Sequence, residues 1–445
     1  MAGASDKARF YLEQSVPELQ EYERKGIFSK KEITSIAKKR SDFEHKLNSR
    51  GGSRPSDYAR YVEYEINLEA LRKKRTRRLG IKHGGGRGGP RRIFFIFDRG
   101  TQKFQGDISL WFNYLEYARK EKAYKKLSQI LTNVLRLHPK DPALWIWASQ
   151  YVFQDQADMS EARSYMQRGL RFCQSSSKLW LEYAKLEMIY ITKITARQQI
   201  LGLTEAQKKG PEILTPDNLD ADIVVLPQVT AEDVNPSLAT NNSADQVALQ
   251  NLDATPALSG AIPLAIFDAG MKQFQNDDVL GLAFFDMFSE FENVPCLQKL
   301  LQHVVEYLLT TSPKRPSTKY CYIRQPTIGV QVDSPEFAVA LGSSLSKLKE
   351  QRENSQQPWK FAQLVISWLT SYLQIESLDQ GLRKVIMVTL QRIAKDLESL
   401  ETDTKVTWSD YTTVISTVNK AKLDTIAKTL AEKRSKRFDG LNAVL

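Results

Sequence analysis

Cysteine is scarce: Cys173, Cys296 and Cys321 stand far apart in 445 residues, with no Cys-x-x-Cys pair. That argues against a disulfide framework and against a cysteine zinc site. The four histidines, His45, His83, His138 and His303, are isolated, and neither His-Glu-x-x-His nor Gly-x-Ser-x-Gly occurs. Nothing assembles a nucleophile, a base and an oxyanion donor, so the expectation is a non-catalytic protein without cofactor or metal. No long uncharged apolar run is present to span a membrane. The first residues, Met-Ala-Gly-Ala-Ser-Asp-Lys, lead straight into charge rather than into a secretory pattern. These absences point to a soluble intracellular protein.

What is present suffices for a core. Hydrophobic residues make up 42% and aromatics 10%, well above a disordered composition. The length allows two or three globular domains or one extended solenoid. The net charge of +11 is concentrated in one place. Residues 1–71 carry 13 Lys/Arg against 12 Asp/Glu, whereas residues 72–92 carry 10 Lys/Arg and no acid. The remainder of the chain is balanced. Arg72, Lys73, Lys74, Arg75, Arg77, Arg78, Lys82, Arg87, Arg91 and Arg92 are therefore the candidate residues for RNA contact or for nuclear import. The alternative is a solvated helix end whose cations suit the C-terminal dipole.

The flanking segments read as helices. Residues 5–25 carry a helical stripe (Phe10, Tyr11, Val16, Leu19, Tyr22) with a kink or break expected at Pro17. Gly26 ends it, and Ser29-Lys-Lys-Glu32 is a capping box for a helix over 29–47. Ser56 is the expected cap of a third helix, in which Tyr58, Tyr61 and Tyr64 recur every three residues. The glycine run from Gly84 lacks the strand and the Gly-Lys-Ser/Thr ending of a phosphate loop and reads as a hinge.

The centre of the chain repeats. Trp111-Phe-Asn-Tyr114, Trp145-Ile-Trp-Ala148-Ser-Gln-Tyr151 and Trp180-Leu-Glu-Tyr183-Ala-Lys-Leu-Glu187 begin successive units about 35 residues apart, the spacing of stacked helical hairpins. A second echo relates Phe97-Asp98-Arg99-Gly100 and Phe104 to Phe267-Asp268-Ala269-Gly270 and Phe274. Glycine inside a helix costs about 1 kcal/mol relative to alanine. Its recurrence at Gly100, Gly169 and Gly270 predicts a close approach over a bulky aromatic. Tyr61, Tyr64, Phe97, Phe104, Trp111, Tyr114, Trp145, Tyr151, Trp180, Tyr183 and Phe267 are expected to pack the repeats, with Arg163 and Glu187 beside them. A base-stacking role for the tryptophans is the alternative; their neighbours Leu110, Leu144 and Leu179 favour packing.

These units resemble the half-a-tetratricopeptide (HAT) repeat, in which one helix carries Trp-x-x-Tyr-x-x-x-Glu and the next carries Ala-Arg with Arg-Gly-Leu. Trp180, Tyr183 and Glu187 fit the first element, and Ala162, Arg163, Arg168, Gly169 and Leu170 the second. The copy at Trp145 departs, with Ala148 at the tyrosine place. The block from Arg9-Phe-Tyr-Leu-Glu to Lys39-Arg40-Ser-Asp42-Phe43-Glu44-His45 is more specific. It resembles the U3 small nucleolar RNA-associated protein 6 family. That resemblance implies an all-α, right-handed solenoid of HAT hairpins with an N-terminal helical segment and a C-terminal helical bundle. It also implies a nucleolar scaffold in the UtpB complex of the small-subunit processome, serving rRNA maturation. The implied partners are other ribosome-assembly proteins, β-propeller subunits among them, and the U3-containing particle with pre-rRNA; no membrane is expected. A HAT scaffold of splicing or 3′-end processing, or a direct RNA binder acting through residues 72–92, is the alternative.

The expected organisation has four parts. Residues 1–83 form an N-terminal helical region ending in the basic stretch, and residues 84–92 the hinge. Residues 93–310 form the repeat array, interrupted by a disordered acidic insertion at 202–258 that has no aromatic residue, nine acids and five prolines. Residues 311–445 form C-terminal repeats or a bundle, with Pro313 to Gln331 as a loop and helices over 337–348, 359–373, 378–400 and 408–430.

Overall fold

The computed structural model describes residues 4–49, 52–81, 88–200, 259–292, 294–351, 357–375 and 377–399. Among them the regular structure is helical and no strand occurs. No described helix is long and apolar enough to cross a membrane. The chain divides into two compact units, Met1–Leu144 and Trp145–Leu445. The expected insertion at 202–258, the helix at 408–430 and the candidates Lys82 and Arg87 lie outside the described residues.

The first unit begins with α1 (Ala4–Glu13) and α2 (Val16–Arg24). The break expected at Pro17 falls just before it, and the proline occupies the opening of α2, where its missing N–H has no cost. Helix α3 (Lys30–Asn48) starts with the expected capping box: Glu32 donates its amide to the Ser29 hydroxyl and its carboxylate accepts the Ser29 amide. Helix α4 (Pro55–Arg78) begins earlier than expected. Its cap is Arg54, whose amide donates to the Asp57 carboxylate at 2.9 Å, not Ser56, because Pro55 already supplies a preset first turn. Helix α5 (Gly88–Lys103) starts inside the glycine-rich stretch, so residues 88–92 are helical. Two further helices, α6 (Ile108–Lys120) and α7 (Tyr124–Leu137), are joined by three residues, which turns the chain back on itself. Within this unit α1 packs on α3, α4 on α5, and α6 on both α5 and α7.

Helix α8 (Pro142–Tyr151) carries the division between the units and widens into a π-helical turn over Val152–Gln156. Ala157 then adopts a left-handed backbone, with φ of 57°. The second unit continues with α9 (Met159–Phe172), α10 (Ser177–Ile200), α11 (Ala261–Gln273), α12 (Asp278–Ser289) and α13 (Leu297–Thr311). Helix α10 packs against α9, α11 and α12.

The segment read as a loop after Pro313 is instead α14 (Pro316–Arg324), followed by a short 3-10 turn. It has no exposed face to reveal it, and its polar residues fall at buried positions: Ser317, Thr318 and Lys319 are inside along with Cys321 and Ile323. The Lys319 ammonium is satisfied there by the Gln351 carbonyl at 2.8 Å, at the end of α15 (Pro335–Gln351). Helices α16 (Pro358–Leu373) and α17 (Gln380–Ser399) complete the described chain. Trp359, Phe361, Val365, Trp368 and Leu369 of α16 form a core with Phe337, Leu341, Ile386 and Leu390.

Candidate nucleic-acid interface

The basic run lies on the last turns of α4, and helical geometry sorts its charges. At 100° per residue the buried positions Tyr61, Glu65, Glu69 and Arg72 share one face, while Lys74, Arg77 and Arg78 point the other way and are exposed. Arg72 donates to both Glu69 carboxylate oxygens, at 2.7 and 2.6 Å, and lies over the Tyr22 ring. Arg75 reaches across to α3, donating to Glu32 at 2.7 and 2.9 Å and to the Ile27 carbonyl at 3.1 Å. That guanidinium, together with the Ser29 amide, holds the Glu32 carboxyl down at about 2. Lys73 sits 3.2 Å from Glu121. On α5, Arg92 pairs with Glu18 at 3.1 Å, and Arg91 is exposed.

The stretch is therefore not one uniform patch. Arg75 and Arg92 tie helices together, Arg72 is held by Glu69 of its own helix and covers the Tyr22 ring of α2, and Lys73 has an acidic neighbour. Lys74, Arg77 and Arg78 have no carboxylate within ion-pair distance among the described residues.

Beneath this run is a buried charge cluster that sequence reasoning overlooked. Arg40, on α3, donates two hydrogen bonds to Glu65 on α4, at 2.7 and 2.8 Å. Its Nη1 has no hydrogen-bond partner and lies 3.9 Å from Glu18. Burial works against the Arg40 charge, but the adjoining Glu65 carboxylate outweighs it and holds the proton more firmly than usual. Arg99 of α5 donates to both oxygens of Glu44 at 3.0 Å and lies over the Tyr11 ring. A cleft of about 460 Å³ opens beside this cluster, lined by Tyr11, Glu18, Glu21, Tyr22, Glu44, Tyr61, Arg91, Arg92 and Phe95 among others. One sign was available in the sequence: Tyr58-x-x-Tyr61-x-x-x-Glu65 has the spacing of Trp180, Tyr183 and Glu187.

The repeat residues are packing residues in their geometry. Tyr61 is buried and stacks on Phe43 with centroids 4.9 Å apart, while Tyr64 is half-buried against the same ring. Phe97 stacks on Tyr114 at 4.8 Å, and the Tyr114 hydroxyl donates to Asp98 at 2.7 Å. Phe104 meets Tyr58 edge-on. Trp111 is buried, its indole N–H donating to the Gln105 carbonyl. Trp145 stacks on Phe172 and Tyr151 on Trp147. Tyr183 is buried, Trp180 is half-buried, and Phe267 is buried in a T-shaped contact with Phe284.

The glycines sit over aromatics. A Cβ at Gly100 would lie 2.9 Å from the Tyr58 ring, one at Gly169 would lie 2.9 Å from Trp145, and one at Gly270 would lie 3.4 Å from Trp180. Arg163 donates to both oxygens of Glu187 at 2.7 Å.

The likeness to known proteins includes the N-terminal block. A family model described as U3 small nucleolar RNA-associated protein 6 matches residues 12–89, the segment that builds α2 to α4 and holds the Arg40–Glu65 pair. The chain is related to that family. U3 small nucleolar RNA-associated protein 6 of Schizosaccharomyces pombe is 40% identical over 237 residues, covering 52% of this chain and 48% of its own length. The homolog of Homo sapiens is 32% identical over 209 residues, covering 46% of this chain and 34% of its own. The homolog of Dictyostelium discoideum is 24% identical over 323 residues, covering 70% and 52%. The chain thus spans about half, or less, of the length of these relatives.

Proposed function

We propose that the chain is a non-catalytic helical scaffold of a nucleolar ribosome-assembly complex, of the UtpB kind within the small-subunit processome, needed for small-subunit rRNA maturation. The observation that carries the reading is the match of residues 12–89 to a family named for association with U3 small nucleolar RNA, joined by relatives of the same name. The architecture supports it. Packed helical hairpins provide long rigid faces, and exposed apolar side chains such as Phe10, Leu79 and Phe95 in the first unit and Phe172 and Val279 in the second lie on those faces. The partners in this reading are other assembly proteins, β-propeller subunits among them, and the U3-containing particle with its pre-rRNA.

Crosslinking mass spectrometry on the affinity-purified full chain tests the reading. Crosslinks to β-propeller assembly proteins, with U3 RNA in the same eluate, are the expected result. Depletion should also leave small-subunit pre-rRNA unprocessed. Recovery of splicing or 3′-end-processing factors in their place would replace the proposal with the other HAT-scaffold role.

A further inference from the structure

We infer that Lys74, Arg77 and Arg78 form the surface by which this chain holds RNA phosphates, and that Arg72 and Arg75 in the same run serve the fold instead. The inference rests on the ribosome-assembly reading above and narrows it to one helix face.

The argument starts from charge that is not already used. Arg72 is buried against Glu69, Arg75 is spent on Glu32, and Lys73 faces Glu121. Arg91 is exposed but borders the cleft that holds Glu18 and Glu21, which offset its field. Lys74, Arg77 and Arg78 are exposed with no carboxylate in range among the described residues. They are spaced i, i+3 and i+4, so their Cβ atoms are neighbours on the helix surface, about 5–6 Å apart. Long cationic side chains at that spacing can reach consecutive phosphates of one strand.

The face carries no aromatic residue to stack on a base. What it offers is charge and N–H donors, and backbone phosphates require nothing more. An import receptor reading a Lys/Arg run needs the whole run available. Here the run is wound into a helix, and Arg72 and Arg75 are held by Glu69 and Glu32.

The test is fluorescence anisotropy of the full chain with a labelled single-stranded RNA of mixed sequence, titrated across a series of KCl concentrations. Three engaged phosphates predict a log–log salt slope of about −2, at about −0.7 for each contact to a single strand. The variant K74Q/R77Q/R78Q should lose at least about tenfold in affinity and nearly all of the slope, with an unchanged Tm. The variant R75Q should lower the Tm and leave the slope intact.

Wild-type affinity in the triple variant overturns the inference, as does a wild-type slope matching the whole basic run. A triple variant that keeps its RNA affinity but fails to accumulate in the nucleus also overturns it and makes the face an import signal. The two readings fail separately. Absence of U3 RNA and assembly factors from the purified complex counts against the scaffold role, whereas the salt slope of the pure protein decides the phosphate face.

Discussion

Arg40 reaches from α3 to Glu65 on α4, and Arg163 reaches from α9 to Glu187 on α10, each with two short hydrogen bonds. Both glutamates are buried, and each occupies the last place of a Tyr-x-x-x-Glu pattern. The surroundings differ. Arg163 keeps 26% of its side chain exposed and lies over the Tyr190 ring, whereas Arg40 keeps only 2%. A guanidinium at the rim can leave its spare donors to water. One in the core must find further carboxylates, and Arg40 has Glu18 only at 3.9 Å. The same clasp is thus peripheral in the second unit and central in the first.

Breaking each clasp should separate them. Arg40→Met leaves the Glu65 carboxylate buried without its partner and should cost about 3–5 kcal/mol, the usual figure for one half of a buried pair. Arg163→Met should cost less, about 1–3 kcal/mol, because water can approach Glu187 from the vacated rim. Chemical denaturation of the two variants side by side gives the order, and equal losses would remove the distinction. The comparison sharpens with R40M/E65L. Replacing both charges by apolar groups should recover most of the Arg40→Met loss, since a desolvated ion pair is seldom better than good packing.

The glycines offer a second comparison within the second unit. An alanine Cβ at Gly169 would press on Trp145 Cβ and Cγ at 2.9 Å, atoms close to the backbone that cannot swing aside. Gly169→Ala should therefore lose about 1–3 kcal/mol to overpacking, more than the helix-propensity gain returns. At Gly270 the nearest atom is Trp180 Cε3 at 3.4 Å, so Gly270→Ala fits and should be neutral or stabilising by up to about 1 kcal/mol. Thermal unfolding of both variants decides. A common sign would mean that ring proximity does not govern these sites.

How far the sequence could reach follows from these contacts. Tryptophan spacing and the Ser29/Glu32 box are local patterns, and the helices they predicted are present within a few residues. The recurring glycines revealed that something bulky lay above them, and the structure supplies the rings. The basic run was visible as composition but not as function: the segregation of Arg72 from Lys74 depends on which face α3 and α2 cover. Helix α14 was missed because periodicity detects half-buried helices, and this one is enclosed. The Arg40 partner is not legible in the sequence, since Glu65 lies 25 residues away and only the packing of α3 on α4 joins them.

The smallest expected effect contrasts the outer tie of α4 with its inner one. Arg75 and Glu32 are both partly exposed, at 31% and 41% of their side chains, so the pair is screened and contributes modestly. Its pH signature is nonetheless specific. The Glu32 carboxyl is lowered from 4.5 to about 2 in the fold. A depressed acid contributes stability that is fully present above its unfolded value and is lost as pH falls through the folded one. The difference in stability between the wild-type chain and R75Q should hold steady from neutrality to about pH 4.5, shrink between there and about pH 2, and vanish below. Denaturation midpoints measured across that range check it. A difference that persists unchanged at pH 2 would mean that Arg75 acts through the Ile27 carbonyl and the Phe28 ring, 4.8 Å from its guanidinium, rather than through the carboxylate.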